Sequence, residues 1–295
     1  MNGRWSPRRE AGFSGERRQL GVNRLPPAEG TGLVAPGARP LAIVTGASAG
    51  IGRIFCERLA AGKHDLLVVA RDRIRLEALK QDLEQRHDIE VEAFPADLTI
   101  DTDVSLLVAR ITQSPQLALL INNAGFGTRG PLLSASPSQQ EAMLRLHTMA
   151  PMRLSQAAVP VLLNNGRGAI VNVSSVASFL FSAYNVNYCA TKAYLTIFSE
   201  GLAAELVGTG VQVQALCPGF TRSEFHQRME LDVSDIPSWM WMSADSVVDA
   251  SLAGLRRGGP VVCVPGIRYK ILVALLRVAP RGLIAWVTRR HAKGL

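Results

Sequence analysis

Between residues 41 and 264, short β-branched runs alternate with longer helical stretches, and this alternation restricts the chain to one class of architecture. Leu41–Thr45 and Asp65–Ala70 read as strands, as do 90–95, Leu117–Asn122, Gly168–Val173, Val211–Leu216 and 261–264. Helices are expected over 51–61, 73–86, 102–113, 137–163, 188–206 and 243–256. The strand runs are continuously apolar rather than alternating, as they must be when helices cover both faces of a parallel sheet. The expected fold is therefore α/β, a doubly wound parallel sheet over 40–265 in a single domain.

The formal net charge of +8 on 295 residues raises the prospect of a nucleic-acid or membrane partner. Its distribution narrows that. Residues 1–40 hold seven Arg against three Glu, residues 256–295 hold nine basic residues and no acid, and the intervening body carries a net of −5. No base-reading or stacking motif accompanies the charge, so no nucleic-acid partner is expected. Residues 1–39, rich in Arg, Gly, Pro and Glu with no apolar core, are expected to form a disordered basic tail and not a secretory signal.

The cysteines Cys56, Cys189, Cys217 and Cys263 have no CxxC spacing and lie in apolar stretches. They read as small buried hydrophobes in a reducing compartment, so no metal is expected and the chain is expected in the cytoplasm. No stretch reaches 18 apolar residues; the nearest, 271–287, is interrupted by Arg277, Pro280 and Arg281. Residues 266–295 read as a basic amphipathic helical extension. They suit either peripheral contact with an anionic membrane through 268–295, or packing on the domain or across a dimer.

The first strand runs into Thr45-Gly-Ala-Ser-Ala-Gly-Ile-Gly52. Residues without a Cβ at 46, 50 and 52 would let backbone N–H groups at a helix N-terminus approach a pyrophosphate closely. The spacing is GxxxGxG, and a tight connection with no ligand is the alternative. The second strand ends Ala70-Arg71-Asp72-Arg73. An acid at that end would suit the ribose hydroxyl of NAD, whereas Arg71 suits a 2′-phosphate, so NADP(H) is favoured over NAD(H). Arg71 as the start of a solvated helix face is the other reading.

Ser175 follows the fifth strand, and Tyr188 and Lys192 lie four apart on the next helix, sharing one face. An ammonium beside a phenol favours the phenolate, and a strand-end serine can hydrogen-bond the same substrate oxygen. Alone, the Tyr and Lys spacing is also that of an ordinary amphipathic helix.

TGASAGIG at 45–52, NNAG at 122–125, Ser175, YCATK at 188–192 and PGFTRSEF at 218–225 resemble, in order and spacing, the short-chain dehydrogenase/reductase family. The resemblance implies a Rossmann-like sheet of order 3-2-1-4-5-6-7 and hydride transfer between NADP(H) or NAD(H) and a carbonyl or alcohol. It makes Tyr188 the catalytic acid/base, Lys192 the holder of the nicotinamide ribose and Ser175 the group that orients substrate. It assigns the cofactor to Gly46, Ser48, Gly50, Ile51, Gly52, Arg71, Asp97, Leu98, Asn123, Ala124, Gly125, Tyr188, Lys192, Pro218 and Gly219. A homodimer or homotetramer is implied too. One position departs from the family pattern: His147 stands where an Asn helps hold a relay water. His147 either substitutes in that proton relay or is a structural helix residue.

Trp239, Met240, Trp241 and Met242, with Phe179, Leu180 and Phe181, suggest a small-molecule apolar carbonyl or alcohol substrate. Packing of the Trp and Met stripe on the core is the competing reading. A catalytically idle dinucleotide-binding sensor or scaffold is the alternative to an enzyme.

Overall fold

The computed structural model describes residues 39–128, 130–223, 237–282, 284–285 and 288. Residues 1–38 of the expected 1–39 tail, residues 224–236 and the basic residues at 289–293 lie outside them. Seven strands form one parallel sheet: β1 (Leu41–Thr45), β2 (Asp65–Ala70), β3 (Val91–Pro95), β4 (Leu117–Asn122), β5 (Gly168–Val173), β6 (Val211–Leu216) and β9 (Val262–Cys263). Their order is β3-β2-β1-β4-β5-β6-β9, which is the expected topology, with β9 as the seventh strand. A separate two-residue parallel ribbon, β7 (Thr221–Arg222) with β8 (Met242–Ser243), has no strong sequence signature.

Among the described residues, seven crossover helices and one C-terminal helix flank the sheet: α1 (Gly50–Ala61), α2 (Arg73–His87), α3 (Asp101–Thr112), α4 (Pro137–Leu144), α5 (Ala150–Asn164), α6 (Val186–Glu205), α7 (Ala244–Arg256) and α8 (Ile267–Val278). Two cores result, one on each face. Phe55, Leu59, Leu76, Leu83 and Val247 fill the side beneath α1, α2 and α7, and Ile43, Leu107, Ile111, Leu154 and Ile170 fill the other. Each such side chain contributes about 1.5–3 kcal/mol on burial. A small third cluster, with Ala215, Cys217, Val264, Tyr269 and Val273, seats α8 on the end of the sheet.

The helix expected over 137–163 is two helices joined by a π-helical turn, Arg145–Met149. Ala150 N–H donates to the Arg145 carbonyl, five residues back. The cause is local: Pro151 has no N–H for the carbonyl four residues before it, so the backbone widens by one residue there. His147 sits at the centre of this turn, fully buried.

Candidate active site

Every site residue expected from the sequence falls on the C-terminal edge of the sheet, on the π turn or on α6. The turn after β1 is shaped by its glycines. Gly50 has φ of +54°, which L side chains rarely adopt, and a Cβ at Gly52 would stand 2.2 Å from the Gly46 carbonyl oxygen. Ala49 caps α1 with no side-chain acceptor, so the N–H groups of its first turn are open to an anion. Ser48 and Ile51 flank this opening, both partly accessible.

The NNAG segment braces the turn. Asn123 Nδ2 donates to the Thr45 and Gly46 carbonyls at 2.9 and 3.2 Å, and Thr45 Oγ1 accepts from Asn123 N and Ala124 N at 2.9 and 3.0 Å. Asn123 thus shapes the Gly-rich turn, and Thr45 is a residue whose part sequence reasoning missed.

Arg71 leaves the end of β2 with its side chain 72% exposed and one nitrogen 4.0 Å from Asp97. Asp72 is engaged elsewhere: it caps α2, accepting from Arg75 N at 3.0 Å. Asp97 accepts from the backbone N and hydroxyl of Thr99, which fixes the loop after β3. The Leu98 side chain is buried in the core.

Ser175 follows β5 and caps a short 3-10 turn, Val176–Phe179, accepting from Ala177 N at 3.1 Å. It also acts on the Tyr188 phenol, favouring the ionised form. Lys192, buried, donates from Nζ to the Val173 carbonyl at 2.9 Å and lies 5.7 Å from the centre of the Tyr188 ring. Buried polar contacts lock α6 to the sheet: Ser174 Oγ donates to the Lys192 carbonyl at 2.8 Å, and Asn122, Asn172 and Ser199 form a ladder from β4 through β5 to α6.

Burial pushes the Tyr188 phenol up to about 12, opposed by the neighbouring Ser175, and pushes Lys192 down to about 8. The ammonium was expected to lower the phenol. Desolvation prevails, because Nζ is directed to Val173 and meets the ring face.

His147 accepts from Phe126 N at Nε2, at 3.2 Å, and its Nδ1 lies 3.0 Å from Thr191 Oγ1. Burial holds it well below the usual imidazole range, with the Lys192 charge adding to the effect. Among the described residues no hydrogen bond joins it to Lys192.

Pro218 and Gly219 follow β6. The Pro218 carbonyl accepts from Val176 N, and the Tyr269 ring lies so close over Gly219 that a Cβ there would meet it at 2.0 Å. The aromatic stripe divides: Met242 packs into the core, Trp241 stacks obliquely on Phe220 at 5.9 Å, and Trp239 is exposed. Phe179 packs beneath α8 and Phe181 is exposed. Thr128, Gln140, Tyr184 and Asn187 line a cleft beside Tyr188 that no motif signalled. Among the described residues no cluster of His, Cys, Asp and Glu could hold a metal, and no helix is long and apolar enough to cross a membrane.

A parallel sheet with an open helix N-terminus at β1 and a Tyr, Ser and Lys cluster at β5 defines a dinucleotide-binding oxidoreductase. The model of the short chain dehydrogenase family matches residues 40–233, and the chain belongs to that family. It is similar to a short-chain dehydrogenase from Sphingobium yanoikuyae solved with NADPH, at 37% identity and a TM-score of 0.76, covering 83% of this chain and 95% of that one. It is also similar to a bulky-bulky ketone specific alcohol dehydrogenase from Comamonas testosteroni, at 32% identity and a TM-score of 0.71, covering 83% and 94%. A sulfoacetaldehyde reductase from Chromohalobacter salexigens is 34% identical over 192 residues, 62% of this chain and 72% of that protein. The protein is an oxidoreductase of CH–OH and carbonyl groups.

Proposed function

We propose that the protein is an NADP(H)-dependent reductase of apolar ketones or aldehydes, working through Ser175, Tyr188 and Lys192. The observation that carries this reading is buried Lys192 against the Tyr188 ring, with Ser175 favouring the ionised form of the same phenol. The cradle suits a dinucleotide, since side chains at 46 and 52 would fill the space beside Asn123 and the turn carbonyls. Gly46, Ser48, Gly50, Ile51 and Gly52 would hold the pyrophosphate, Arg71 the 2′-phosphate, and Asp97 and Leu98 the adenine side. Asn123, Ala124, Gly125, Lys192, Pro218 and Gly219 would hold the nicotinamide half. The bound dinucleotide supplies or accepts the hydride.

The residues do the rest. Ser175 Oγ and the Tyr188 hydroxyl hold the carbonyl oxygen. As the carbonyl carbon gains hydride, Tyr188 passes its proton to the oxygen, giving the alcohol and a phenolate. Lys192, charged below about pH 8, stabilises that phenolate across the ring. His147 is a positioning residue: it ties the loop after β4 to α6 next to Tyr188. The likeness to the bulky-bulky ketone specific alcohol dehydrogenase and the exposed Phe181, between Ser175 and Tyr188 in sequence, favour an apolar substrate.

Exposed Leu144, Met149, Tyr194 and Ile197 give α4, the π turn and α6 an apolar outer face suited to a homodimer or homotetramer contact. NADPH oxidation is to be followed with a panel of bulky ketones and aldehydes. Turnover of any of them supports the enzyme. Tight NADPH binding without turnover across the panel supports the idle sensor instead.

A further inference from the structure

We propose that α8 is a membrane-docking helix, which lays Ile267, Ile271, Leu275 and Val278 into the interface of an anionic lipid surface. These four residues are 55–79% exposed, and their spacing of four, four and three places them on one stripe. The opposite side of α8 carries Tyr269 and Val273, both buried in the small third core. The helix is therefore amphipathic twice over: one apolar side is used by the fold, and the other faces outward.

Charge identifies what the outer side meets. Exposed Arg268 borders the stripe on one flank and exposed Lys270 and Arg277 on the other, with exposed Arg281 just past the end of the helix. None of the four makes an ion pair among the described residues. The chain from 256 onward contains no acid at all. A second copy of this face would set cation against cation, whereas anionic headgroups would pair with the flanks while the stripe enters the acyl boundary. Trp239 adds an interfacial anchor: it is 58% exposed and lies under the Arg268 guanidinium, 5.8 Å from its ring centre.

The docking face is coupled to the catalytic edge through the thickness of one helix. Tyr269 Oη accepts from Phe220 N and donates to the Met240 carbonyl, and its ring covers Gly219. Arg277 lies over Phe179, on the turn that follows Ser175. Resting on the proposed reductase function, this places the catalytic edge beside the bilayer in which an apolar ketone would dissolve.

The full chain is to be sedimented with phosphatidylcholine vesicles and with vesicles containing about one-third phosphatidylserine. We expect it to pellet with the second, to pellet little with the first, and to be released by added salt. Lys270→Gln and Arg281→Gln should each weaken partitioning by roughly 5-fold. Ile271→Glu with Leu275→Glu should abolish it and leave NADPH turnover of a water-soluble ketone intact. Sedimentation is read without turnover, so a protein that binds vesicles but reduces nothing keeps the docking and loses only the reductase. The docking is overturned if the parent protein stays in the supernatant with both vesicles, or if the double Glu variant pellets as before. It is equally overturned if that variant fails to pellet only because its oligomeric size or melting temperature has changed, which would assign the stripe to a second copy or to this chain.

Discussion

His147 Nδ1 lies 3.0 Å from Thr191 Oγ1, and because Nε2 already accepts from Phe126 N, the ring proton sits on Nδ1 and is donated to that hydroxyl. Thr191 in turn donates to the Tyr188 carbonyl at 3.0 Å. Protonating His147 would turn Nε2 into a donor facing the Phe126 N–H, so the imidazole stays neutral at every working pH, as burial also dictates. His147→Asn should therefore leave the limbs of the pH–rate profile between about pH 5 and 8 unmoved. His147→Ala should lower kcat more than it raises KM for the dinucleotide, and should cost about 1–3 kcal/mol in urea unfolding, because the Phe126 N–H loses its acceptor and the buried Thr191 hydroxyl loses its imidazole partner. A limb near pH 6.5 that disappears in the Asn variant would restore the proton-relay reading.

Lys192 gives the opposite expectation. Burial holds its ammonium down to about 8, so the charged form is lost as pH rises through that value. The kcat/KM for NADPH, which reports groups of the free enzyme, should fall above about pH 8. Lys192→Arg keeps the charge at all accessible pH, so its profile should be lower but free of that fall. A fall at the same pH in the Arg variant would mean that another group titrates there.

Tyr188→Phe removes the transferable proton and keeps the ring against which Lys192 lies. Ketone reduction should drop by about 10²–10⁴-fold, with dinucleotide binding by fluorescence titration near that of the parent protein. An equal loss of binding would mean that the phenol acts by holding the cofactor and not by proton transfer.

The sheet was legible because each parallel strand is a continuous apolar run, and β1, β2, β4, β5 and β6 begin and end as the pattern indicates. The π turn was not. Its cause, Pro151, lies in the middle of what periodicity alone reads as an unbroken helix over 137–163. The Tyr and Lys spacing placed both groups on one face of α6 but said nothing of the Val173 carbonyl that claims the ammonium, since that contact spans 19 positions in sequence. The Trp239–Met242 stripe carried two readings because composition does not record direction. The fold sends Met242 inward and Trp239 outward, so core and surface share one motif.

Gly52→Ala should abolish dinucleotide binding while leaving the helix content unchanged. The added Cβ would stand 2.2 Å from the Gly46 carbonyl oxygen and 2.5 Å from Asn123 Nδ2, so the turn must open. Opening it moves the α1 N–H groups away from the pyrophosphate position. Circular dichroism and NADPH titration check the two halves of this expectation, and an Ala variant that binds as the parent does would remove the turn from the cofactor site.

Arg71 should determine the choice between the two dinucleotides. Its side chain is largely exposed, and Asp97, the acid it pairs with among the described residues, is at 4.0 Å, a loose contact that a phosphate could replace. Asp72, the acid that could have bound a ribose diol at the same strand end, is occupied as the α2 cap and by Arg75 at 3.4 Å. A guanidinium hydrogen-bonded to a phosphate contributes about 1.5–3 kcal/mol, so Arg71→Ala should raise KM for NADPH by roughly 10- to 100-fold. KM for NADH, which lacks the 2′-phosphate, should change by less than about 3-fold in the same variant. Arg71→Asp should go further and invert the preference, since the new carboxylate repels the phosphate and can accept from the diol. Paired kinetics with both dinucleotides decide the matter. Equal losses for NADPH and NADH would show that Arg71 is a solvated surface residue whose removal only disturbs the end of β2.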